Sequence, residues 1–246
     1  MAGVFTVELL IHGSLCDFLP AGAPAGRRVE STARSVKDLV EAQGVPHPEI
    51  GRLTVNDREV GFDHQVAAGE RVAVFPFAGP VDLTAVAILG RAPLPVLRFV
   101  ADVHLGRLTR HLRLLGLDCR YAPPWADAAL AEVSARERRV MLTRDRGLLK
   151  RRCIEYGIYL RSDQPLAQAR EVMGRVDVTR HLAPFSRCSR CNGALAPVAK
   201  EAVAARLPEG TRRSYDAFYE CQSCRQVYWA GAHFGRLARL VQELLP

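Results

Sequence analysis

The run Leu97–Gly116, LRFVADVHLGRLTRHLRLLG, changes its period halfway along. LRFVA is a short apolar run of strand length, and it ends on a charge, Asp102. Beyond it Leu105, Leu108, Leu112 and Leu115 recur at the three- and four-residue spacing of one helix face, and Gly116 supplies a C-terminal stop. The same alternation continues downstream. DCRYA reads as a strand, DAALAEVSARE as a helix, RRVMLTRD as a strand and GIYLRSD as another. Strands alternating with helices at these lengths predict a parallel α/β sheet over 97–180.

Upstream, residues 1–80 read differently. VFTVELLIHG is a strand and RRVES its hairpin partner. SVKD at 35–38 has the form of a capping box and starts a helix running to about Gln43. LTVNDREV forms two short strands around an Asn-Asp turn, and ERVAVFPF closes the set. A helix on a mixed sheet in this order resembles the ubiquitin-like β-grasp fold. Sulfur-carrier members of that group end in a free Gly-Gly carboxylate. Here FAGPVD stands at that place and the chain continues, so a docking or structural role is expected, with a protein partner for this domain. Residues 81–96, with Pro93 and Pro95, read as a linker carrying one apolar patch, and 181–246 as a cysteine-rich third domain.

The 246 residues carry a net charge of +8, unevenly placed. Residues 1–96 hold 8 Lys/Arg against 11 Asp/Glu, residues 97–180 hold 17 against 10, and residues 181–246 hold 9 against 5. The whole excess follows residue 96, which favours a phosphate-bearing partner. No apolar run reaches the roughly 18 residues of a membrane span, and Glu8 interrupts the apolar start, so no membrane partner and a cytoplasmic location are expected. Seven cysteines, four of them in two CxxC pairs, fit a metal site in a reducing compartment better than a disulfide framework.

In open parallel sheets, ligands bind beyond the carboxyl ends of the strands. Asp102 and Asp145 each terminate a strand, Asp127 opens a helix that can face the same edge, and Asp163 follows a fourth strand. Asp127 reads equally well as a helix cap, and Asp163, before Gln164-Pro165, reads better as a turn or cap residue than as a site residue. If these carboxylates converge, each pair at about 4 Å costs on the order of 4 kcal/mol at an effective dielectric near 20. A hard cation, Mg²⁺ or Mn²⁺, would offset that repulsion. Cations lie nearby: Arg107, Arg110 and Arg113 on the Leu-rich helix, and Arg144, Arg146, Lys150 and Arg151 around Asp145. They suit a nucleic-acid backbone, although a solvated turn with internal ion pairs would use the same residues.

CSRC at 188–191 and CQSC at 221–224 supply four thiolates, Cys188, Cys191, Cys221 and Cys224, as two knuckles of a structural zinc site. The 29 residues between Cys191 and Cys221 exceed the usual spacing and read as an insertion in a zinc ribbon. Trp229, beside the second knuckle, is the best candidate to stack on an unpaired base, while membership of the ribbon's own small core is the plainer account of any one of its aromatics.

FVADVHLGRLTRHLRLLGLD, RRVMLTRDRGLL, SRCSRCNGAL and YECQSCRQVYWAGAH, in this order, resemble the PIN-like RNase domain found at the C-terminus of the exonuclease Mut-seven. Prokaryotic relatives of that domain often carry a ubiquitin-like domain ahead of it. The resemblance implies a metal-dependent ribonuclease with Asp102, Asp127 and Asp145 as the acidic site, acting on RNA, with single strands favoured. For the further acid common in PIN nucleases, the candidate aspartate between Asp102 and Asp145 besides Asp127 is Asp118. The alternative is an RNA-binding or docking protein on a PIN-like domain that has lost cleavage.

Overall fold

The computed structural model describes residues 4–123 and 125–245. The N-terminal domain is a five-stranded mixed sheet with one helix. It comprises β1 (Phe5–Ile11), β2 (Gly26–Ser31), α1 (Val36–Ala42), β3 (Ile50–Val55), β4 (Arg58–Glu59) and β5 (Arg71–Pro76). Strand order is β2-β1-β5-β3-β4, with β1 and β5 parallel at the centre, the β-grasp arrangement. Local chemistry sets the elements. Ser35 Oγ accepts from Asp38 N at 3.2 Å, capping α1. Asn56 and Asp57, at φ 49° and 64°, supply the left-handed pair that a tight hairpin needs.

The second sheet is built from β6 (Phe99–Ala101), α2 (Gly106–Leu114), β7 (Cys119–Arg120), α3 (Asp127–Glu137), β8 (Val140–Thr143), α4 (Arg146–Leu149), β9 (Gly157–Tyr159) and α5 (Pro165–Arg175). Its order is β7-β6-β8-β9, and every neighbouring pair is parallel. Alternation sorts the faces. Phe99, Ala101, Val140 and Leu142 pack with Leu105, Leu108 and Leu112 of the α2 side, while Val100 and Met141 pack with Leu130 and Val133 of α3. Gly116 is needed where α2 ends: its φ is +86°, and a Cβ there would lie 2.1 Å from the Ala183 carbonyl oxygen.

The third domain holds β10 (Leu195–Val198), α6 (Lys200–Val203), α7 (Glu209–Ser214), β11 (Phe218–Cys221) and β12 (Val227–Tyr228), a three-stranded antiparallel ribbon with the insertion folded as two short helices. The closing helix, α8 (Phe234–Leu244), leaves the ribbon and returns Val241 and Leu244 to the core of the parallel-sheet domain. The proline-rich stretch expected as a linker is also core: Leu83, Ile88 and Leu94 are buried there, and Val81 bridges Val176. Two prolines restrict its backbone, but its apolar side chains have a sheet layer to cover. Among the described residues no helix is long and apolar enough to cross a membrane.

Candidate active site and metal centre

Parallel register fixes the strand ends. Ala101 pairs with Leu142, and Asp102 N donates to the Leu142 carbonyl at 3.0 Å, so Asp102 stands level with Thr143 at the carboxyl edge of the sheet. Thr143 is wholly buried. Its hydroxyl donates to Asp102 Oδ2 at 2.7 Å and accepts from Asp145 N at 2.9 Å. One side chain therefore ties the two strand-end acids together. Asp102 is 6% exposed, and its other oxygen accepts from His104 N at 3.3 Å. Asp145 Oδ1 takes the amides of Gly147 at 2.6 Å and Leu148 at 3.3 Å. That cap holds the side chain on the rim, and Oδ2 has no protein donor among the described residues.

Asp127 is the first residue of α3, exposed and uncapped, on the loop that leaves the carboxyl end of β7. Asp163, also exposed, lies just before α5. Among the described residues, no three carboxylates bring ligand oxygens within 4.8 Å of one another; only the four cysteines do. A shared rim is present, then, but not a closed nest of acids. Asp102 and Asp145 leave two carboxylates at one edge of the sheet, and Mg²⁺ is commonly held by one or two carboxylates while keeping several of its own waters. Asp118 belongs elsewhere. It precedes β7 at the opposite edge and receives Arg139 at 2.6 Å and Asn192 Nδ2 at 2.8 Å. Burial favours its neutral form, but Arg139, Asn192 and Arg187 outweigh burial and hold its carboxyl below the usual range.

The cations divide into two groups. Arg107, Arg110, Arg144 and Arg151 are exposed, with no carboxylate partner among the described residues. Three expected phosphate contacts are structural instead. Arg113 is 3% exposed and donates to the Cys119 carbonyl at 2.9 Å and to those of Ser189 and Arg190 at 3.1 and 3.0 Å, bolting α2 to the first knuckle. Arg146 donates to the Asp17 carbonyl at 2.9 Å, and Lys150 to that of Glu41 at 3.1 Å, so both hold the β-grasp domain. Trp229 is half-buried and packs on Phe218 with ring centroids 6.4 Å apart.

The four cysteine sulfurs lie within 4.8 Å of one another, with Cys188–Cys224 at 3.7 Å and Cys191–Cys221 at 3.4 Å. Sulfurs about 2.3 Å from a tetrahedral zinc would stand about 3.8 Å apart, so the cluster can hold that ion. Both knuckles share one geometry. Cys191 N approaches Cys188 Sγ at 3.4 Å and Cys224 N approaches Cys221 Sγ at 3.5 Å. Asn192 and Arg225, which follow them, are left-handed at φ 73° and 62°. Burial disfavours the thiolates. The Tyr228 hydroxyl, 3.1 Å from Cys188 Sγ, and nearby amides nonetheless bring Cys188 down to about 6. Burial and the neighbouring thiols push Cys191 up to about 12. A dication would relieve that conflict.

Thr143 was legible as a lone hydroxyl on an otherwise apolar buried strand, two residues before an acid. The partners of Lys150 and Arg146 lie 109 and 129 residues away, Arg113 reaches a knuckle 76 residues on, and no local signal names these contacts.

The Mut7-C RNAse domain model matches residues 97–241, and the Mut7-C ubiquitin model matches residues 4–82. No curated protein and no solved structure matches the chain.

Proposed function

The chain belongs to the Mut7-C RNAse family, and from that premise we propose that it is a divalent-metal-dependent ribonuclease. The observation that carries this reading is the pair Asp102 and Asp145 on adjacent parallel strands, joined through the Thr143 hydroxyl. Asp102 and Asp145 would hold Mg²⁺ or Mn²⁺. A bound ion of this kind activates water and offsets charge developing on a phosphodiester. Asp127 stands at the same edge, free to approach an ion or orient a water. Arg107, Arg110, Arg144 and Arg151 take backbone phosphates, and the ribbon, with structural zinc on Cys188, Cys191, Cys221 and Cys224, assists RNA binding.

The open arrangement of the acids favours one second reading, an RNA-binding protein that no longer cleaves. End-labelled single-stranded RNA incubated with the purified protein and Mn²⁺ decides between them. Cleavage that is lost in both Asp102→Asn and Asp145→Asn supports the nuclease. RNA retained by the wild-type protein without any cleavage supports the second reading and sinks the first.

A further inference from the structure

The ribbon does not sit over the acidic rim. Its first knuckle is fastened to the far end of α2 by Arg113, and to the start of β7 by Asn192 Oδ1, which accepts from Cys119 N at 3.0 Å. From Gly106 to Leu114 a helix rises roughly 12 Å, so the ribbon stands at least that far from Asp102.

At this far end a cavity of about 130 Å³ opens between α2, β12 and α8, walled by Leu114, Phe185, Tyr219, Tyr228, Trp229 and Phe234. A broader hollow of about 480 Å³ shares Tyr228, Trp229 and Phe234 with it, making one continuous groove. The rings are held in place and left open. Tyr219 is 46% and Phe234 38% exposed. Phe185, at φ 60°, is a bulky residue kept in the left-handed region, where it props Phe234 with centroids 5.0 Å apart.

Arg107, Arg110 and Leu114 share a face of α2, because at 3.6 residues per turn Leu114 returns to within about 20° of Arg107. Two unpaired cations therefore lead from the rim to the groove along one line. Beyond the groove Arg236, also exposed and without a carboxylate partner among the described residues, continues the positive path on α8. Open aromatic rings interleaved with unpaired arginines suit a single-stranded polyanion with stackable bases.

Resting on the ribonuclease reading, the geometry points to the groove between Trp229, Tyr219 and Phe234 as a slot for an unpaired base of the same RNA strand whose phosphodiester lies at Asp102 and Asp145. At about 3.4 Å per stacked nucleotide, roughly four nucleotides separate slot and rim. Strands shorter than this cannot fill both.

Fluorescence anisotropy with a 5′-fluorescein oligouridylate of twelve nucleotides, without added Mn²⁺, reads the slot apart from cleavage. Phe234→Ala and Tyr219→Ala should each weaken binding about fivefold or more, with zinc content and melting temperature unchanged. In Trp125→Phe protein, which retains Trp229 as its one indole, the same RNA should quench the remaining emission. This second measurement leaves the groove intact, so it stands even if an alanine variant fails to fold. Unchanged affinity in both variants, or no quenching at saturating RNA, overturns the slot and leaves the nuclease. Quenching and weakened variants in a protein that never cleaves with Mn²⁺ would remove the nuclease and keep the slot.

Discussion

Thr143 shows how much one hydroxyl can decide. Its oxygen ties together two acids carried by different strands, and it is wholly buried. Thr143→Val keeps shape but removes the donor to Asp102 Oδ2, leaving a buried carboxylate oxygen unsatisfied, which costs about 1–3 kcal/mol. We expect a lower urea midpoint and cleavage reduced about 10–100-fold, the usual cost of losing a group that orients a metal ligand. Thr143→Ser should restore most of the cleavage. If valine cleaves as well as serine, the hydroxyl orients nothing. The arginines of α2 carry the complementary lesson. Arg107, Arg110 and Arg113 look alike in sequence, yet six residues leave a helix about 120° short of two full turns, which carries Arg113 away from Arg107 and against the knuckle. Arg113→Gln should cost about 3 kcal/mol, since three carbonyls lose a charged donor, and leave the salt dependence of RNA binding untouched. Arg107→Gln should do the reverse, lowering the slope of log K against log salt by about 0.7 for a single strand with stability unchanged. Identical behaviour of the two variants would refute the division.

At the scale of elements, the strands and helices around the acids were readable because each carries one strong local pattern. Period two separates Phe99 and Ala101 from Val100, the Leu stripe marks α2, and Asp at a strand end marks the rim. What escaped was attachment. Residues 81–96 have prolines and no periodicity, so nothing local distinguishes a tether from a segment that lays Leu83, Ile88 and Leu94 on the sheet. In the same way, α8 follows the second knuckle in sequence but belongs to the neighbouring core. These attachments make the four-cysteine cluster more than a local staple. Asn192, in the first knuckle, holds the Cys119 amide of edge strand β7 at 3.0 Å and Asp118 at 2.8 Å. Stripping a zinc ion held there, which would supply roughly 10–16 kcal/mol to such a cluster, should therefore loosen β7 together with the ribbon. Hydrogen exchange after chelation should show faster exchange at Cys119 and in β10–β12, with β1 and β5 of the β-grasp sheet unaffected. Protection of Cys119 that survives chelation would mean the two domains are not coupled through the knuckle.

For the whole molecule, the question is whether the β-grasp domain is a passenger or a wall. It is fastened by groups that would be costly to bury alone. Glu49 is fully buried, pairs with Arg175 and accepts from Tyr159 N at 2.7 Å. His47 reaches the Ile154 carbonyl at 2.7 Å. Arg91 donates to the Ile50 and Glu155 carbonyls, each at 3.0 Å, and burial pushes its guanidinium down to about 10, still charged at neutral pH. The turn Gly13–Phe18 is meanwhile clamped next to Asp145: Arg146 takes the Asp17 carbonyl, and Arg161 takes Asp17 Oδ2 and the Ser14 carbonyl, each at 3.0 Å. On the ribonuclease reading, the β-grasp domain, held by Arg146 and Lys150, would narrow the approach to the rim beside α4. Glu49→Gln tests this docking directly. It leaves the Arg175 guanidinium largely buried without its counter-charge, a change worth about 3–5 kcal/mol. The wild-type chain should melt in one transition and the variant in two, the β-grasp domain separating from the rest. Protease sensitivity at Arg146 and Arg161, whose partners lie in the β-grasp domain, should rise in Glu49→Gln over the wild type. A single transition at an unchanged temperature would show that the buried pair does not join the domains, and the wall would have to be abandoned.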